Sequence, residues 1–296
     1  MKIGFILPQT ELGGPESIMQ LVRTAEECGI SYLVLYDHVL GADRSSRPDW
    51  RYTYDSTTEM HEPLVLFGFI AGQSTLELVT GVLVLPQRQT ALVAQQTAEL
   101  DILSGGRVRL GVGIGWNQVE FEALGIDFAS RAQRFEEQIH LLRRLWVEPS
   151  VDFRGRFHTV DRAGLCPRPV QRPVPIWMGG GTRPATLERI GRLSDGWITY
   201  LPPSAEVAGA WKQVRDIASR HGRDIGLQGT IQPGGDHVTP KALGRTTDIA
   251  KTVREQLGRW REIGATHVSI SGLGVGRTFA EHVDFIRVAT EAIRAA

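Results

Sequence analysis

The stretch SYLVLYDHVL (31–40) runs from an apolar core pattern straight into an acid and an imidazole, Asp37 and His38. An apolar run of this length reads as a buried strand, so the pair marks the point where the chain leaves the core. His38 is the better candidate for contact with a reacting centre, because imidazole titrates near neutral pH and can carry a proton either way. Neighbours on a strand point to opposite faces, so the two side chains are not expected to reach one cavity as a pair. The competing reading makes Asp37 a loop cap and His38 a hydrogen-bonded structural histidine.

Two glycine-rich stretches could hold a ligand. IWMGGGTRPATLERIGR (176–192) ends an apolar run in Gly179, Gly180 and Gly181, then opens a helix at Thr182, Arg183 and Pro184. Free N–H groups of Gly180, Gly181 and Thr182 at a helix start would form a nest for an anion such as phosphate. The Thr182 hydroxyl and Arg183 are possible further donors; an ordinary helix start is the alternative. No GK[ST] follows, so this is not a P-loop. GVGIGWN (111–117) carries GxGxG rather than GxGxxG and lies mid-chain, which argues against a Rossmann dinucleotide site.

Other chemistries can be set aside. A Schiff-base enzyme needs a lysine near its cavity, and Lys2, Lys212, Lys241 and Lys251 fall at a strand start, in helices or in loops. The eight histidines are scattered, and Glu59-Met60-His61-Glu62 reads as polarity at a helix start rather than a metal box. Cys28 and Cys166 have no metal spacing, and no GxSxG elbow is present. Lys+Arg and Asp+Glu balance at 33 each, so no global field selects nucleic acid or an anionic membrane. No apolar stretch nears the ~20 residues of a spanning helix, which points to a cytoplasmic protein.

The candidate residues must be positioned by a regular scaffold. Strand patterns at 2–8, 31–36, 76–85, 107–115, 175–180, 195–200, 224–232 and 266–272 alternate with helical ones, including 61–72, 90–104 and 128–146. Strands alternating with helices imply a parallel sheet. Eight such units in 296 residues favour an α/β fold of the closed (β/α)8 TIM-barrel type, one domain over 1–296, against a Rossmann-like open sheet. Insertions are expected after strands 2, 4 and 7. The segment VDFRGRFHTV (151–160) reads as an inserted hairpin, and loops 39–60 and 232–245 as candidate lids on the face where barrel enzymes keep their sites.

The motifs taken in order resemble a known family. YDHV after the second strand, LVTGVLVLPQR at the third, TAELDILSGGRVRLGVGIGWN into the fourth, and PIWMGGGTRP with SDGWITY together resemble the bacterial luciferase-like superfamily, from Ile3 to about Ile270. The Asp-His ending is most similar to its deazaflavin (coenzyme F420) dependent oxidoreductases, with FMN-dependent monooxygenases as the sister branch. The resemblance implies an isoalloxazine-like ring in the barrel mouth and its phosphate at Gly179, Gly180, Gly181 and Thr182. It implies a non-prolyl cis peptide at Gly81-Val82, next to Thr80, that presses a bulge against the ring. His38 matches the histidine facing the reactive carbon, and Asp37 a neighbouring cofactor contact. Gly113, Gly115, Trp116 and Asn117 match the ring's other side or the approach to it.

The expected function is hydride transfer between F420 and a small organic substrate, with His38 and Asp37 as the catalytic pair. The alternative is an FMN-dependent monooxygenase using reduced flavin and O2, and a third reading is a cofactor-binding barrel without catalysis. Some deazaflavin-dependent sugar dehydrogenases carry a Glu where this chain has Trp116; an indole cannot shuttle protons and offers an apolar wall instead. The resemblance also implies a homodimer.

Overall fold

The computed structural model of the chain describes residues 1–52, 54–233, 249–273 and 277–296. The strands are β1 (Lys2–Ile6), β2 (Tyr32–Leu35), β3 (Glu77–Thr80), β4 (Leu83–Val84), β5 (Val108–Gly113), β6 (Val151–Arg154), β7 (Thr159–Ala163), β8 (Ile176–Gly179), β9 (Gly196–Ile198), β10 (Gly226–Ile231) and β11 (His267–Ser271). The helices are α1 (Pro15–Glu27), α2 (Pro63–Ala71), α3 (Thr90–Ser104), α4 (Gln118–Ala123), α5 (Arg131–Val147), α6 (Pro184–Leu193), α7 (Ala205–Arg220), α8 (Ile249–Ile263) and α9 (Phe279–Arg294).

Among the described residues, eight parallel strands close into a barrel in the order β3-β2-β1-β11-β10-β9-β8-β5, and β5 returns to β3 through Leu78–Val108 and Val79–Arg109. The run expected as one strand at 76–85 is interrupted at Gly81-Val82, where the peptide is cis. The chain resumes as β4, which pairs with the upper part of β5. The hairpin expected at 151–160 is present as β6 and β7. It is fastened to the barrel's outer ring by His158, whose Nδ1 lies 2.7 Å from Glu137 and whose Nε2 lies 2.7 Å from the Thr90 hydroxyl. Loop 39–60 follows β2 as expected, whereas residues 234–245 of the second expected lid lie outside the described residues.

Strand parity divides the core in two. Phe5, Leu33, Leu35 and Leu78 join the apolar shell under the helices, whereas Ile6, Tyr32, Val34, Val79, Trp177 and Ile198 form a separate cluster inside the barrel. Helix α1 shows the matching three-to-four residue repeat, burying Ile18, Leu21, Val22 and Ala25.

The strand-start end of the barrel interior is polar and closed. The Arg109 guanidinium lies 4.8 Å from the Tyr32 ring centre and 4.3 Å from that of Trp177. It donates to Glu77 at 2.8 Å and to the Gln228 carbonyl at 2.8 Å. Gln228 in turn donates to the Ser269 hydroxyl at 3.0 Å, which also meets the Tyr32 hydroxyl. The absence of side chains at Gly4, Gly196 and Gly226 is what lets the Tyr32 and Trp177 rings fit, since a Cβ at each would fall 2.1–2.4 Å from a ring atom. No helix among the described residues is long and apolar enough to cross a membrane.

Candidate active site

At the opposite end, where the strands finish, β2 runs through Tyr36 to Asp37 and His38. The two separate there, as strand parity requires. Asp37 is 3 % exposed, and its carboxylate accepts from the Val84 N–H at 2.8 Å and from Arg88 at 2.7 and 3.3 Å. Arg88 also donates to Glu62 at 2.9 Å, and Glu62 caps α2 through the Val65 N–H. Asp37 thus ties β2, β4 and α2 together. Both carboxylate oxygens face protein donors, so its observed role is in holding the strand end. The cluster bears out Glu62 as helix-start polarity.

His38 stands in the mouth. Its ring centre lies 4.8 Å from that of Tyr54 and 5.4 Å from that of Trp116. Nδ1 is 3.0 Å from Oε1 of Glu120, a residue the sequence reading did not single out. The Glu120 carboxylate also accepts from the Val39 N–H at 3.0 Å and from Gln87 at 2.9 Å. Burial alone would raise the Glu120 carboxyl, but the hydrogen bond and charge of His38, with Gln87 and the Leu40 N–H, outweigh it and hold the group below the ordinary carboxylate range. Glu120 sits three residues after Asn117 at the start of α4, a spacing that reads as a capping box. The structure uses half of it: Asn117 caps through the Val119 N–H and donates to the Leu40 carbonyl, while Glu120 turns to His38.

The floor of the mouth is built around Val82. A Cβ at Gly113 would fall 2.5 Å from one Val82 methyl, and a Cβ at Gly179 would fall 2.6 Å from the other. These glycines make room for the bulge. Gly115, at φ +74°, packs against Val84 and Phe121. The Gly81 carbonyl accepts from the Tyr200 hydroxyl at 2.5 Å, and the Thr80 hydroxyl donates to the Gly111 carbonyl at 2.6 Å, so Thr80 supports the floor from beneath. Burial raises the Tyr36 and Tyr200 hydroxyls well above their ordinary range, and Tyr54 to about 12. All three are neutral.

The anion nest is narrower than expected. The Gly180 N–H donates to the Ile198 carbonyl at 3.2 Å, and the Gly180 carbonyl accepts from Trp197 at 2.8 Å, so this residue belongs to the barrel. Gly181 and Thr182 keep backbone N–H groups without an acceptor among the described residues. The Thr182 hydroxyl donates to the Glu206 carboxylate at 2.5 Å, so a carboxylate stands where an external anion would compete. The Val82 floor and the two free amides of Gly181 and Thr182 fit a flavin-type cofactor with an anionic tail.

Loop 39–60 lays an aromatic wall beside His38. Tyr52 and Trp116 lie 4.0 Å apart, and Trp50 is 5.0 Å from Tyr52 and 5.9 Å from Trp116. A cavity of about 240 Å³ runs from His38 along Val39 and Leu40 to Tyr54, Thr58 and Met60. Its one acid, Asp55, is paired with Arg44. Among the described residues no group of three His, Cys, Asp or Glu side chains could hold a metal ion.

Fold and site together define a (β/α)8 barrel with its candidate centre at the strand C-terminal ends. The chain belongs to the luciferase-like monooxygenase family, whose pattern matches residues 1–239. It is 34% identical over 191 residues to an FMNH(2)-dependent dimethylsulfone monooxygenase of Pseudomonas fluorescens, covering 61% of this chain and 51% of that protein. Among solved structures it resembles the monooxygenase RslO1 from Streptomyces bottropensis (TM-score 0.80, 22% identity, 100% and 99% of the two chains covered). It also resembles an F420-dependent secondary alcohol dehydrogenase (TM-score 0.79, 18% identity, 99% and 98% covered).

Proposed function

We propose that the chain is an oxidoreductase that transfers a hydride between coenzyme F420 and a small neutral organic substrate. The observation that carries this reading is an imidazole at the barrel mouth with one nitrogen held by a buried carboxylate and the other without a protein partner among the described residues. A hydride that leaves or reaches an oxygen-bearing carbon requires a proton to move at that oxygen, and His38 Nε2 can take or give it. Coenzyme F420, when bound, supplies the hydride acceptor or donor. Val82 would support its ring, and the Gly181 and Thr182 N–H groups its anionic tail. Trp116, Tyr52 and Tyr54 would limit water at the site. Within this reading the chain is a cytoplasmic homodimer.

A second reading, an FMN-dependent monooxygenase using reduced flavin and O2, is favoured by the 34% identity to the dimethylsulfone enzyme. Anaerobic absorbance titration with F420 and with FMN tests both. Tighter binding of F420, with no oxygen uptake after reduction, supports the first. Binding of FMN alone, with oxygen uptake, supports the second. Binding of neither overturns both.

A further inference from the structure

We infer that Glu120 is a positioning residue for His38: its carboxylate fixes the imidazole as the Nδ1–H tautomer and leaves Nε2 as the atom that exchanges protons. The argument begins with what surrounds the carboxylate. Glu120 is 1 % exposed, yet Oε1 receives the Val39 N–H at 3.0 Å and the Leu40 N–H at 3.4 Å. Amide groups only donate, so Oε1 is an acceptor. A lone pair on Nδ1 facing that oxygen at 3.0 Å would be repelled, and Nδ1 must therefore carry a proton. The other oxygen, Oε2, receives Gln87 Nε2 at 2.9 Å, while Gln87 Oε1 has no partner among the described residues. That orientation of the Gln87 amide, with its nitrogen toward Oε2, fits an ionised Glu120. With both oxygens facing donors, a proton on the carboxyl has no acceptor to meet.

Two consequences follow for His38. The tautomer is set before any ligand arrives. The same carboxylate anchors the backbone of residues 39 and 40, and Asn117 holds the Leu40 carbonyl at 3.1 Å, so the ring and the start of loop 39–60 share one fixed point on α4. The other ionisable groups around the pair are Tyr54, neutral beside the ring, and the Asp37–Arg88–Glu62 cluster, whose charges are paired internally.

This inference rests on the oxidoreductase reading only for the use made of the proton, and its test does not need a substrate. In protein carrying ¹⁵N-histidine, long-range ¹H–¹⁵N spectra report tautomer and titration midpoint for each ring, with His38→Asn identifying the His38 signals. The expected result is an Nδ1–H tautomer for neutral His38 in the unaltered protein. In Glu120→Ala, which removes the acceptor facing Nδ1, the tautomers mix, and Glu120→Asp, which keeps a carboxylate, restores the Nδ1–H form in part. An Nε2–H tautomer in the unaltered protein overturns the inference even if Glu120→Ala fails to fold, and so does an unchanged tautomer in a folded Glu120→Ala protein. Loss of F420 and FMN binding in the unaltered protein would instead count against the functional reading and leave the histidine result standing.

Discussion

The two ends of this barrel use nearly the same side chains for opposite purposes. Where the strands begin, Arg109, Glu77, Gln228, Ser269 and Tyr32 form a network in which the guanidinium, carboxylate, amide and hydroxyls answer one another. His267 closes that end, its ring edge-on to Tyr32 and Trp177, and burial, then Arg109, Lys2 and the chain N-terminus, push its pKa down to about 3. Where the strands finish, a carboxylate holds a histidine, but Nε2 of His38 and the amides of Gly181 and Thr182 find no protein partner among the described residues. The residue types do not separate scaffold from candidate centre. What separates them is whether the polar groups are already answered.

Substitutions that test this contrast should differ in kind as well as size. At the open end, Gly181→Asp should leave the fold intact, because a Cβ there meets nothing within 4 Å. It should weaken binding of a phosphate-bearing cofactor by ~100-fold or more through charge repulsion, read by titration; retained affinity removes the nest. At the closed end, Arg109→Met should cost about 3 kcal/mol in denaturant unfolding, the low end for a broken buried pair because Glu77 is partly exposed. Cofactor affinity should not change. His38→Ala should lower turnover ~100-fold with cofactor affinity kept, and undiminished turnover would remove His38 from the chemistry.

Smaller effects sharpen the comparison further. Glu206→Gln should tighten binding of the anionic tail by about threefold, a modest gain because the competing carboxylate is exposed; equal affinity in both proteins would show that Glu206 does not compete. His267 binds its proton less readily in the folded protein than at its ordinary value of 6.5. Its contribution is therefore complete above about pH 6.5 and lost as the pH falls toward 3. His267→Asn should flatten that part of the stability profile, measured by urea unfolding at stepped pH.

The strands were legible because each buried parallel strand is an almost unbroken apolar run ended by glycine or a polar residue. The helices carried their own punctuation, such as Pro15 and Pro184 at first turns. The cis Gly81-Val82 peptide came from the family resemblance alone. The partners of Asp37 were not legible because Val84 and Arg88 are 47 and 51 residues away, and strand parity says where a side chain points but not what it meets. Gly180 was assigned a free amide because a strand's last ladder bond cannot be placed from its sequence. Glu120 was missed for the opposite reason: its local pattern had a sufficient explanation as a helix cap, while its working partner lies 82 residues earlier. The visible signal was an acid on the short helix directly after GVGIGWN, a place where a carboxylate has somewhere better to go.

The clearance around Val82 has a practical consequence for anyone reshaping this cavity. Because Gly113 and Gly179 come within van der Waals contact of its two methyls only by having no side chains, the depth of the basin is governed jointly by the bulge between β3 and β4 and by one glycine on each of β5 and β8. Trimming Val82 to Ala would deepen the basin without disturbing its neighbours. Adding even one methyl at either glycine would lift that valine into the space a ligand needs, so the route to a bulkier guest runs through residue 82 alone.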